Sequence, residues 1–322
     1  MASKLEATLA KMRSRLEEKN YYDAHQTIRT IANRQVKQKN YPAAIELLYS
    51  SAQLMLQYEQ GAEGADLGLY MIQVYTLAEK GPDPTTRAQT IQLLRLFKPD
   101  EPGRKTFIKE ALAWSKKFAE VKSGDPEIQH AYGTILVGED EITEAEKHLI
   151  VGNRESPVVL AKALYEWYTE DEPHMAPMYI SRAVLPYLAL GNLEAAERSL
   201  DVFTNLLSAP SQSISSPIAD TTIFPSLPLL NFLRLLTLSA ARGTPDLWRA
   251  LKGRYERDLR DVSAWDEVLE GIAEVWFGVR KPRPQGNMLA ELMSGMFGGG
   301  AGGGAPRGAP RLGGGPSVEG LD

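Results

Sequence analysis

Apolar residues recur along this chain with the spacing of one helix face, from its first residues to about Gly278. Leu5, Leu9, Met12 and Leu16 fall at i, i+4, i+7 and i+11, a single stripe. Ala24, Ile28, Ile31, Ala32 and Val36 then share one arc, and after Pro42 so do Ala44, Ile45, Leu48, Ala52 and Met55. Proline is tolerated early in a helix because the first N–H groups have no intrahelical acceptor. Two of the openings are near-copies. Asn20-Tyr21-Tyr22-Asp23-Ala24 is echoed by Asn40-Tyr41-Pro42-Ala43-Ala44, each placing an aromatic three positions before an alanine. Ile142/Ala145 and Leu193/Ala196 repeat the mark after helix ends that contain Gly138 and Gly191. The marks are unevenly spaced. The pattern therefore predicts an all-α fold, a degenerate α-solenoid of TPR-like helical hairpins.

Residues 60–66 (QGAEGAD) read as a glycine-punctuated turn, with Asp66 capping a helix that carries Leu67, Tyr70, Met71, Val74 and Tyr75. Prolines and glycines in 81–84 and 99–103 break the chain again. Helices are predicted over 104–122, 126–137, 144–151, 157–169, 176–190, 193–207, 231–241, 245–258 and 265–277. Between them, 209–229 carries four prolines, many hydroxyls and the isolated apolar residues Ile218, Ile223 and Phe224. A long non-helical insertion in a helical body is uncommon and tends to be functional. The β-branched run 221–224 suits a short strand or hairpin arm. Residues 281–297 hold a short amphipathic, Met-rich segment, and 298–322, dominated by glycine and proline, read as a disordered tail.

Composition adds location and charge. The chain has 322 residues, no cysteine and no run approaching a membrane span, so a reducing compartment and no stable membrane insertion are expected. The amino terminus carries charges throughout and does not read as a secretory signal, which makes a cytosolic protein the expectation. Net charge is -5, yet residues 1–40 hold nine Lys or Arg against four Asp or Glu. A basic end on an acidic protein suggests steering toward an acidic partner surface.

Catalytic chemistry has little support. The four histidines, His25, His130, His148 and His174, have no metal-ligand spacing, and neither a phosphate loop nor a nucleophile elbow occurs. They read as surface or packing residues. The carboxylate clusters 139–141 and 170–172 read as solvated helix ends. No cofactor, metal or catalytic residue is expected. The candidate site is Arg29, Arg34 and Lys37, on an arc expected to be free of carboxylates and adjoined by Tyr21 and Tyr22. It is either a solvated face or a docking surface, since arginine with tyrosine is the composition of interface anchors. Nucleic acid fits less well, because the patch is small and lacks a reader motif. The 209–229 arm either packs down on the body or clasps a partner segment.

Several stretches together carry a resemblance: YYDAHQTIRTIANRQVKQKNYPAAIELL, GADLGLYMIQVY, AWSKKFAEVKSGDPEIQH, LNFLRLLTL and NMLAELMSGMFGG. In that order they resemble the Golgi-to-ER traffic protein four family, which acts in guided entry of tail-anchored membrane proteins. The resemblance spans about residues 5–297. It implies a non-enzymatic cytosolic scaffold that bridges a ubiquitin-like-domain partner, with its co-chaperone and tail-anchored client, to a dimeric targeting ATPase. Hydrolysis by that ATPase would be restrained before client loading. On this reading residues 1–150 are the ATPase-docking half of the solenoid and 151–280 the half that binds the ubiquitin-like partner. Tyr21, Arg34 and Lys37 become anchoring contacts, with Arg29 beside them, and Asp66 matches an acidic position tied to ATPase regulation. The arm, with Ile218, Ile223 and Phe224, falls where the family has a loop that clamps the partner. An adaptor subunit of another large cytosolic complex is the alternative.

Overall fold

The computed structural model describes residues 2–119, 121–207, 214–216 and 221–279, with side chains described from residue 5 on except at 214–216 and 221. The predicted segments at 281–297 and 298–322, and Ile218, lie outside the described residues. The first helices are α1 (Ala2–Glu17), α2 (Tyr21–Lys37), α3 (Tyr41–Gln57), α4 (Gly61–Leu77) and α5 (Pro84–Leu96). There follow α6 (Arg104–Phe118), α7 (Pro126–Gly138), α8 (Ile142–Leu149), α9 (Ser156–Tyr168), α10 (Ala176–Ala189) and α11 (Leu193–Leu207). A two-stranded antiparallel hairpin, β1 (Ile214–Ser216) and β2 (Thr221–Ile223), precedes α12 (Pro228–Ala240). The described chain ends with α13 (Pro245–Arg254), α14 (Glu256–Arg260) and α15 (Asp266–Phe277). The all-α solenoid with a short β-hairpin insertion is the architecture that the hydrophobic pattern predicts.

The tyrosine–alanine mark is the signature of the turn between paired helices. Before each mark the chain turns through a single left-handed residue: Lys19, Lys39, Glu59, Asp140 or Gly191, with φ between 58° and 77°; Glu79 (φ 51°) makes the same turn after α4, although α5 opens only at Pro84. The amide two places past the helix end then bonds five residues back, as Asn20 to the Arg15 carbonyl (2.8 Å) and Asn40 to that of Gln35 (2.9 Å). This Schellman geometry satisfies carbonyls that the helix end leaves open. The next helix starts at once, and its fourth residue is small because the preceding helix lies against it. Ala24, Ala44, Ala145 and Ala196 are at most 1% exposed.

Residues 60–66 are therefore no turn. They are another copy of the mark, with glycine at both positions, and Asp66 lies inside α4 rather than capping it. A Cβ on Gly64 would come within 2.7 Å of the Leu56 side chain, and one on Gly68 within 2.9 Å of Phe107. The glycines that suggested a break permit close helix packing instead. Counting this copy, the left-handed residues 19, 39, 59 and 79 recur every 20 positions, so the first part of the solenoid is regular. The predicted helix over 245–258 is in fact two, α13 and α14, parted at Tyr255.

Two apolar clusters form the interior. One runs from Met12 to Ile128 and includes Leu48, Met55, Met71, Tyr75 and Phe107. The other runs from Leu136 to Phe277 and includes Leu164, Val184, Phe203, Phe232 and Trp265. Tyr132 packs against both. Ion pairs cross the stack between hairpins, joining Arg87 to Asp125 (2.7 Å) and Arg104 to Glu139 (2.8 Å). Glu139 thus departs from its reading as a solvated helix end, because its carboxylate lies against a guanidinium that is 6% exposed.

Two predictions follow from this framework. Lys39→Gly or Glu59→Gly removes the steric cost of a left-handed non-glycine residue and stabilises by about 0.5–1 kcal/mol in urea unfolding; destabilisation would contradict the turn assignment. The histidines supply the second. Nδ1 of His148 lies 2.7 Å from Gln129 Oε1, and burial lowers the pKa of His148 below its ordinary value. A lowered folded pKa means the unfolded chain takes up the proton first, so stability present above about pH 6.5 declines as pH falls toward the folded value. His148→Gln flattens that decline in a pH series of thermal melts. An unchanged slope would mean that His148 does not carry it.

Candidate functional site

The residues singled out near the amino terminus lie on two helices, α2 and α4. On α2, Ala24, Ile28 and Ala32 are buried. This fixes the helix's rotation, and Tyr22, Gln26, Thr30, Arg34 and Lys37 are left exposed. Among the described residues neither Arg34 nor Lys37 has an ion-pair partner, so both charges face solvent. Tyr22 is 69% exposed, whereas Tyr21 is half-buried and packs against the first apolar cluster. Tyr22 is thus the more exposed of the two tyrosines that open α2. The arc is not free of carboxylates either, since Asp23 is exposed in the first turn. It lies about 21 Å along the axis from Lys37, at 1.5 Å per residue, so Arg34 and Lys37 form a locally cationic end.

Arg29 is placed differently from the other two cations. Its guanidinium donates to both carboxylate oxygens of Asp66 on α4. Nε2 of His25, one turn earlier on α2, lies 2.7 Å from Asp66 Oδ2. Arg29 also sits over the ring of Tyr70, with its guanidinium carbon 5.4 Å from the ring centroid. The Tyr70 hydroxyl donates to Asn33 Oδ1 at 2.6 Å, and burial pushes its pKa above the ordinary value. Asp66 and Tyr70 on α4 thus meet His25, Arg29 and Asn33 on α2, a ladder with one-turn spacing on both helices. His25, Asn33 and Tyr70 were not predicted as site residues. The one-turn spacings of 25/29/33 and 66/70 are visible in the chain, but nothing local says that the two faces meet.

The arm near the carboxy-terminal half divides between its two readings. Phe224 is 2% exposed and belongs to the second apolar cluster, so it packs down. Its backbone N–H donates to Asn231 Oδ1 (3.0 Å) and its carbonyl accepts from Asn231 Nδ2 (2.8 Å), which clasps the arm's base to α12. Ile223, in register with Ile214 across the strands, is 42% exposed. One apolar residue anchors the arm and the next is offered outward. The other histidines meet partners within the chain: Nδ1 of His130 lies 2.9 Å from Ser156 Oγ, and Nδ1 of His174 lies 3.1 Å from Glu172. Among the described residues no His, Cys, Asp and Glu side chains group as metal ligands, and no helix is long and apolar enough to cross a membrane.

Comparison with known proteins agrees with the helical architecture. The profile of the Golgi to ER traffic protein 4 family matches residues 38–297. The chain belongs to this family. It is 43% identical to Golgi to ER traffic protein 4 of Aspergillus fumigatus over 92% of this chain and 90% of that protein. It is 35% identical to that of Schizosaccharomyces pombe over 91% of this chain and 96% of that protein. The Homo sapiens homolog is 28% identical over 89% of this chain and 85% of that protein. A crystal structure titled C. therm. Get4 superposes with a TM-score of 0.84 at 43% identity, covering 95% of this chain and 100% of that one. Family membership supports a role in Golgi-to-ER traffic, and the family is one of traffic proteins, not of enzymes. The family profile starts at residue 38, so α2 with its basic end precedes the profile-matched region.

The clasp at the arm is testable. Asn231→Leu leaves the Phe224 N–H without its acceptor, while the Phe224 carbonyl keeps only the Leu227 N–H, and costs about 1–2 kcal/mol. Limited proteolysis then cuts the arm faster while α1–α11 stay intact; unchanged cleavage would show that the clasp does not hold it.

Proposed function

We propose that this family member is a non-enzymatic scaffold in the post-translational targeting of tail-anchored membrane proteins to the endoplasmic reticulum. The exposed end of α2 docks an acidic surface of a dimeric targeting ATPase and restrains ATP hydrolysis until a client is loaded. The carboxy-terminal half, with the hairpin arm, holds a ubiquitin-like-domain partner, and through it a co-chaperone and the client reach the ATPase. The observation that carries this reading is the pair Arg34 and Lys37, exposed and without ion-pair partners among the described residues, at one end of a helix whose rotation the core fixes. Exposed cations left unpaired by the body are what an acidic partner surface would meet. Ile223, exposed beside a buried Phe224, suits the second contact, because the arm is fixed at its base to α12.

The test uses both partners at once. Arg34→Glu with Lys37→Glu weakens capture of the targeting ATPase at least roughly tenfold, since each cation becomes a repelling charge. Capture of the ubiquitin-like protein from the same mixture is unchanged. Raising salt weakens the ATPase contact of the unaltered chain, because exposed charges are screened over about 8 Å at physiological ionic strength. Equal ATPase capture by the altered chain would remove the docking assignment. Co-purification with many large subunits, and no small ubiquitin-like protein, would favour an adaptor in another complex.

A further inference from the structure

A cleft of about 640 Å³ opens where the two apolar clusters meet. Ile108 on α6 and Leu136 on α7 line it, one from each cluster, together with Tyr132, which packs against both. Its rims carry opposite charge. Arg104, Lys105 and Lys109 line it from α6, and Glu139, Glu141 and Glu144 from α8 and the turn before it. Asp100, in the link before α6, is the exception. Arg104 and Glu139 meet at 2.8 Å, both well covered. Lys105, Lys109 and Glu141 are exposed, and among the described residues none of the three has an ion-pair partner. Phe107 and Ala111 seat α6 on the first cluster, whereas Ala145 and Leu149 seat α8 on the second. The stack therefore holds these charges apart, with space between them. Donors are left over inside. Both Glu139 oxygens accept from Nη2 of Arg104, and its Nε is buried without a hydrogen-bond partner. The Tyr132 hydroxyl has no partner among the described residues either. Burial raises its pKa, against the pull of Arg104, so it keeps its proton. Donors without acceptors are costly to bury, and a ligand oxygen at the guanidinium offsets that cost.

We propose that this cleft docks a short peptide segment of a partner protein, one with an acidic residue against α6 and a basic residue against α8. The acidic side chain meets Lys105, Lys109 and the guanidinium of Arg104, whose five N–H groups can serve two carboxylates. The basic side chain meets Glu141 and the carboxylate of Glu144. Apolar parts between them lie over Ile108, Tyr132 and Leu136. Opposite rims also select, since a segment of one sign is attracted by one rim and repelled by the other. The volume is in the range of sites that enclose a ligand or a few side chains. This inference is independent of the readings of α2 and of the arm, which lie on other elements.

Three blocked hexapeptides of equal length test it, titrated into the full chain at low salt and followed by NMR. One has glutamates at one end and lysines at the other, around a leucine pair; the second has glutamates at both ends and the third lysines at both. The two-sign peptide shifts the signals of Tyr132, His148 and the first turns of α6 at millimolar concentration or below. At those signals the one-sign peptides bind at least roughly threefold more weakly, the scale of one exposed charge pair. Glu141→Lys reverses the order, so that the all-glutamate ends bind best, and Lys105→Glu with Lys109→Glu favours the all-lysine ends. All three positions are exposed, so these variants keep the circular dichroism spectrum and melt of the unaltered chain. Arg34→Glu with Lys37→Glu leaves the cleft signals and affinities as they were, which separates this site from α2. An absence of shifts at the cleft with millimolar two-sign peptide overturns the proposal. So does equal affinity for the three peptides, or an order that Glu141→Lys leaves unchanged.

Discussion

Much of this fold depends on how tightly one helix can turn into the next. A left-handed residue ends the first helix, the second begins two residues later, and its fourth residue is small where the first helix crosses it. Without the small residue the helices would be pushed apart, as the 2.7 Å approach of a Cβ on Gly64 to Leu56 makes plain. The recurrence at 19, 39, 59 and 79 places successive helices in register and leaves each apolar face covered by its neighbours. That is how a stack of hairpins none of which could bury its own surface becomes a stable body.

Register has consequences for chemistry at the surface. Helices two apart in the chain lie side by side, so charges between 36 and 43 residues apart can meet, as in Arg182–Glu146 and Arg198–Glu155. The contact of Arg29 and His25 with Asp66 belongs to this group. Of the three cations on α2, one is consumed in holding the stack and two remain free. The cations that the stack leaves unpaired are the ones available to the proposed docking face.

The helices and their buried faces were legible in the sequence because a 3.6-residue period survives in every segment. The breaks at prolines were legible too, with Asp83 closing a capping box on Thr86 as proline and aspartate at a helix start suggest. Glycine was the misleading signal. In 60–68 it serves close packing, and only the partner helix, distant in sequence, distinguishes that from a turn. The basic end of α2 could be read from charge and wheel position, which place Arg34 and Lys37 outward. The pairing of Arg29 could not, because Asp66 lies 37 residues away and the wheel of one helix is blind to the next. The same limit divided Ile223 from Phe224: alternation in a strand says that neighbours face opposite ways, but not which of the two the body covers.

The central claim is that two separate faces of one rigid stack are offered to two different partners. Amide hydrogen exchange on the full chain tests it most directly, with the targeting ATPase and the ubiquitin-like protein added singly and together. The account predicts that the ATPase slows exchange in Tyr21–Lys37 and leaves the hairpin strands unchanged. It predicts the reverse for the ubiquitin-like protein, and both footprints when both are present. Unchanged exchange in α2 at saturating ATPase, or one shared footprint for the two proteins, would contradict it.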